Sequence, residues 1–169
     1  MVLSPRVQYR FPHYIFVDIG STQHLMGGEM GCLEKALQIA AKFAPDASAA
    51  IGDTPAGAQM LAKWRPSHIS LRGKEQESFK GLGLDALKDL EGLSPWAQKK
   101  PVEHMIAFFH TLGVYGLEGV LNFRLNSLRE RWGILVFYFG IVCILRTLRS
   151  FHLLCLATLL WAMATWMIP

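Results

Sequence analysis

The fold class predicted for this chain is α/β over its first part, followed by a helical region and an apolar helical tail. Three observations predict it. An aromatic and β-branched run, "YIFV" at 14–17, ends on Asp18 and a glycine-rich turn. An amphipathic helical pattern follows, and after it a second strand-to-helix pair. The composition then breaks at Gly133: all 13 acidic residues precede it, and beyond it only Arg146 and Arg149 carry charge. The 169 residues hold one domain, or one domain and an appendage.

Each element has its own warrant. Gly20, Gly27 and Gly28 punctuate the turn after the first strand. From Glu29 to Phe43, Leu33, Ala36, Leu37, Ala40 and Phe43 recur at helical spacing, with small residues suited to packing on a sheet. Pro45 stops this helix, and "ASAAIG" at 47–52 is short and apolar enough for a second buried strand. In "DTPAGAQMLAKW", Thr54 is an N-cap and Pro55 takes the first helical position, where its missing N–H costs nothing. Parallel and mixed sheets both accommodate this order.

Beyond the α/β region (1–65), the polar, glycine-containing residues 66–80 read as a linker. A helical region spans 81–133, with a short helical pattern in "LGLDALKDLEGLSPW" and a helix from Val102 to Thr111. "LGV" at 112–114 then separates that helix from a second. Helix, apolar-Gly-apolar turn, helix is the pattern of a helix-hairpin-helix, whose backbone N–H groups lie close to a DNA phosphate. Leu-Gly-Val is also a common helix C-cap followed by an apolar contact, so both readings stand.

Most function classes find no support. The net charge of +4 and pI near 9.1 permit an anionic partner without naming one. Cys32, Cys143 and Cys155 are far apart, which argues against a disulfide framework or zinc site and fits a reducing, cytoplasmic setting. The N-terminus has no apolar core after a basic start and does not read as a secretory signal. The dispersed histidines lack ligand spacing, so no metal or cofactor is expected. "GLGLDALKDLEGL" lacks the strand-turn-helix setting of a phosphate loop. "WRPSHISLRGK" has the cations to track a nucleic-acid backbone, but a solvated linker is the preferred reading.

Three segments occur in an order that resembles the Y-family DNA polymerases, and specifically the polymerase-like ImuB proteins of bacterial mutagenesis cassettes. They are "SPRVQYRFPHYIFVDIGSTQHLMGGE", "AAIGDTPAGAQMLAKW" and "FFHTLGVYGLEGVLNFRLNSLRERWG", and the resemblance covers roughly residues 4–133. It implies a partial polymerase palm over 1–65 and a thumb-like region over 81–133. In active members a Ser-Ile-Asp-Glu stretch supplies the catalytic carboxylates, because two-metal phosphoryl transfer needs clustered acids. That stretch falls on Phe11, Pro12, His13 and Tyr14, which contain no carboxylate. Asp18 is then a non-catalytic acid at the strand end, capping the turn. The family's phosphate-facing Asn-Lys pair falls on Ala58 and Gln59, and a neutral amide cannot replace a cation there.

The resemblance therefore implies no catalytic residue and no polymerase activity. It implies a DNA-binding adaptor for translesion DNA repair, with DNA, a catalytic translesion polymerase and the sliding clamp as partners. Leu112, Gly113 and Val114 at the hairpin, with Arg129 and Arg131 as phosphate partners, are the candidate DNA contacts. The family's earlier palm motif would precede Met1, so the palm piece is expected to expose a sheet edge and one sheet face. The tail at 134–169 is not explained by the family. A shifted reading frame is one account of it. Membrane association is another, although the run at 153–168 is short of the ~20 residues needed to span a bilayer. A buried helical pair is the third.

Overall fold

The computed structural model describes residues 3–10, 13–90, 99–121 and 153–157. Strands β1 (Val7–Arg10) and β2 (Tyr14–Asp18) form an antiparallel hairpin, with Val7 opposite Val17 and Arg10 opposite Tyr14. After β2 come a 3-10 turn, Gln23–Met26, and helix α1 (Gly28–Ala40). Gly27 and Gly28 join them with φ of 81° and 86°, a backbone region that a side chain would strain. Strand β3 (Ser48–Gly52) leads into helix α2 (Pro55–Trp64). The chain then forms 3-10 turns at Glu75–Phe79 and Leu84–Leu90, helix α3 (Lys99–Thr111), the short α4 (Leu117–Leu121) and strand β4 (Leu153–Ala157).

The four strands pair antiparallel throughout, in the order β1-β2-β4-β3. Strands β2 and β3 run the same way, linked by α1, and leave a gap one strand wide. Strand β4 fills it, pairing Tyr14 with Ala157 on one side and Ser48 with Ala157 on the other. Part of the apolar tail thus has a central place in the sheet. Leu154 and Cys155 are both fully buried and join opposite cores, as strand alternation requires. The rest of that apolar run, 158–168, lies outside the described residues, as do the segment at 134–145 and its basic connection. Among the described residues, no helix is long and apolar enough to cross a membrane.

Each face of the sheet has its own core. On one, Cys32, Leu33 and Ala36 of α1 meet Val17, Ile51 and Leu154. On the other, α2 covers Phe16, Ala50 and Cys155. The residues of α2 from Ala56 to Ala62 are all buried, because its far side is covered in turn by Leu84, Leu87, Met105 and Phe109. An all-round apolar helix needs such a second cover. Helices cover both faces of the sheet, and β4, which comes from outside residues 1–65, fills the gap between β2 and β3. Strand β1 is the edge strand, and its Val7 and Tyr9 side chains are more than half exposed.

Two further expectations are corrected. Helix α1 ends at Ala40, and Phe43, expected on its buried stripe, is 60% exposed. The chain tightens there, where Phe43 and Ala44 N–H groups both donate to the Ala40 carbonyl ahead of Pro45. Residues 66–80, expected to be a linker, are packed onto the domain. Ser67 and Ser70 N–H groups donate to Ala49 and Ile51 carbonyls, and the Ile51 N–H donates to His68, so this segment covers the outer edge of β3. Ser70, Glu75, Ser78 and Phe79 are buried.

Candidate functional site

Strand β2 delivers Asp18 to the end of the sheet. Its Oδ1 accepts the Gly20 N–H at 3.0 Å, closing the turn as the sequence suggested for a capping acid. Its Oδ2 lies 3.4 Å from the Arg6 guanidinium, and the Asp18 N–H donates to the Arg6 carbonyl. Arg6 is largely exposed, so this pair contributes under about 1 kcal/mol. Arg6, Val7, Gln8, Phe16, Asp18 and Pro55 line a cleft of about 220 Å³. Of the four positions where the catalytic stretch would fall, Tyr14 opens β2 facing Arg10 and Ala157, and His13 just precedes it. Phe11 and Pro12 lie outside the described residues. Among the described residues, no group of three His, Cys, Asp or Glu side chains is arranged to hold a metal ion.

The position expected to hold a phosphate-binding lysine is Gln59, which is 1% exposed in the middle of α2, with Ala58 beside it fully buried. Neither side chain reaches an open surface. A charged side chain at this position would have to be taken out of water into the core, which is costly without a partner.

The most elaborate polar arrangement among the described residues is at the β3–α2 turn, and it centres on Glu75. This side chain enters from the segment read as a linker and is 4% exposed. Its Oε1 accepts the Asp53 N–H at 2.8 Å and the Thr54 N–H at 3.2 Å, and its Oε2 accepts the Thr54 hydroxyl at 2.8 Å. Thr54 Oγ1 in turn accepts the Gly57 N–H at 3.0 Å, which is the N-cap expected of it. The contact is reciprocal: Asp53 Oδ2 accepts the Gly73 N–H at 2.6 Å. A carboxylate from the segment holds the turn, and a carboxylate from the turn holds the segment.

Two glycines make room for it. A Cβ at Gly57 would strike the Glu75 carboxyl group, and one at Gly52 would strike Oε1 and the Ala58 backbone. Burial dominates the acidity of this group, pushing its pKa up to about 7 against the opposing pull of the Thr54 and Asp53 hydrogen bonds. The sequence reading missed Glu75. The signal was indirect: a glycine in the first turn of α2 weakens that helix, and only a packing reason explains it.

The hairpin residues are brought together, but as a helix cap. Gly113, at φ 74°, donates its N–H to the His110 carbonyl, and Val114 donates to Phe109 at 2.9 Å. This pair of bonds is a Schellman motif. Leu112 donates to Phe108 and Phe109, so all three backbone N–H groups expected near a phosphate are used inside the protein. Val114 packs against the α2-side core, and the Leu112 side chain is half exposed. Arg129 and Arg131 lie outside the described residues. No family model, curated protein or solved structure matches this chain.

Proposed function

We propose that this chain is a non-catalytic, Y-family polymerase-like protein of the ImuB type, acting in translesion DNA repair by binding. The observation that carries the reading is that β2 opens on Tyr14, where the resemblance would put a catalytic carboxylate, while the acid it does carry, Asp18, is tied up at the strand's other end. Both of its oxygens are engaged, by the Gly20 N–H and by Arg6, in holding the end of β2. Two-metal phosphoryl transfer needs carboxylates clustered around ions, and this acid serves a turn. The buried, neutral Gln59 supports the same reading, since a phosphate clamp needs an accessible cation.

On this reading the strand-helix-strand-helix unit is a palm converted to scaffold. DNA contact is routed through the arginines that follow α4, Arg129 and Arg131, with the exposed Leu112 side chain at the margin. The hairpin amides of Gly113 and Val114 are closed into the cap and contribute shape only. The partners are DNA, a catalytic translesion polymerase and the sliding clamp.

The test is a pair of assays on the full chain. Primer extension with magnesium and all four nucleotides is expected to give no product, and fluorescence anisotropy with a labelled oligonucleotide is expected to show salt-dependent binding. Charge reversal of both arginines should remove most of that affinity. Primer extension by the wild-type chain would overturn the non-catalytic reading, and unchanged affinity in the double variant would overturn the binding site.

A further inference from the structure

The side chains of Glu75 and Asp53 fasten residues 66–80 to the β3–α2 turn. We propose that Glu75 is a proton-operated latch: with its carboxyl neutral the segment stays closed over the turn, and ionisation favours its release. The segment covers the outer edge of β3 and contributes Phe79 to the α2-side core, so release would uncover both.

The geometry accommodates the proton without breaking a contact. Oε1 accepts two backbone N–H groups in either charge state. When neutral, the carboxyl carries its proton on Oε2 and donates to Thr54 Oγ1, which has a second lone pair beside the one used by Gly57. When ionised, Thr54 reverses its hydroxyl and donates instead. The ionised form is the costly one, because the carboxylate is then taken out of water and lies near Asp53, whose charge opposes its ionisation. Of the packed elements, β3 presents Gly52 and α2 presents Gly57 to this carboxyl group. On the segment itself, Lys74 is drawn outward to Glu77, where both are well exposed.

The sign follows from the raised affinity for the proton. In the closed form Glu75 titrates at about 7, and when released into water it returns to about 4.5. Between those values the closed form holds a proton that the open form gives up, so raising the pH favours opening. The opening equilibrium rises by up to about tenfold per pH unit over that window and levels off above it.

Hydrogen exchange of the Asp53, Thr54 and Gly73 amides in the full-length protein, corrected for intrinsic rates, reads the latch. Protection is expected to fall by roughly two orders of magnitude from pH 5 to pH 7.5. Glu75→Gln, which mimics the neutral acid, should stay protected throughout. The carboxyl carbon shift of Glu75 itself, followed from pH 4 to 9, needs no variant and should turn near neutrality. In Asp53→Asn the same inflection should move to lower pH, because the neighbouring negative charge is gone. Protection independent of pH in the wild type, or an inflection in the ordinary carboxylate range, would overturn the latch.

Discussion

Gly57→Ala probes the β3–α2 turn most sharply, because the three nearest atoms to the added methyl all belong to one functional group, the Glu75 carboxyl. The helical backbone accepts alanine, so the whole cost comes from expelling that group. Expulsion breaks the bonds to Asp53 N–H, Thr54 N–H and Thr54 Oγ1, at about 1 kcal/mol each, for a loss of about 3 kcal/mol. In a Glu75→Ala background the obstacle is absent. The same Gly57→Ala change should then be neutral or stabilise by up to about 1 kcal/mol, through helix propensity alone. Urea denaturation of the four proteins, followed by far-ultraviolet circular dichroism at pH 6, gives the cycle. The expected coupling is about 3 kcal/mol with a change of sign. Equal destabilisation by Gly57→Ala in both backgrounds would refute the reasoning.

Three more outcomes are expected from the same measurement. Ser67 has φ 64° where the chain turns back along β3, so Ser67→Gly should stabilise the protein by about 1 kcal/mol. Gly113→Ala should cost about 1 kcal/mol, by straining the left-handed residue of the cap after α3. Leu154→Ala should cost about 2–5 kcal/mol, because a fully buried side chain is removed from the central strand; an exposed tail would give no change.

What was legible in the sequence was whatever local chemistry determines. Strand β2 announced itself by β-branched and aromatic residues, and α2 by Thr54 and Pro55 at its start; both appear where expected. Helix α3 runs to Thr111 and ends on the glycine cap that "LGV" suggested. The elements missed depend on distant partners. Strand β1 is four residues long and is defined by its pairing with β2. Strand β4 lies inside an apolar run with no alternation to separate strand from helix, and only the gap between β2 and β3 selects it. Residues 66–80 are polar and look solvated until Glu75 meets a turn more than 20 positions earlier. The same holds for the candidate site: Asp18 closes its own turn and could be read locally, whereas the burial of Gln59 depends on layers contributed by later parts of the chain.

The position of β4 also bears on how the molecule is made. Tyr14 pairs with Ala157, about 140 residues further along, so the sheet's two halves share their central strand only after residue 157 has been made. A chain synthesised from its N-terminus must wait with β2 and β3 unjoined, their inner edges open, while the ribosome makes the residues up to β4. The wait ends when Leu153–Ala157 leaves the exit tunnel. Until then the nascent chain presents a pair of strand edges to any extended peptide nearby, and its demand for chaperones should be concentrated in that interval.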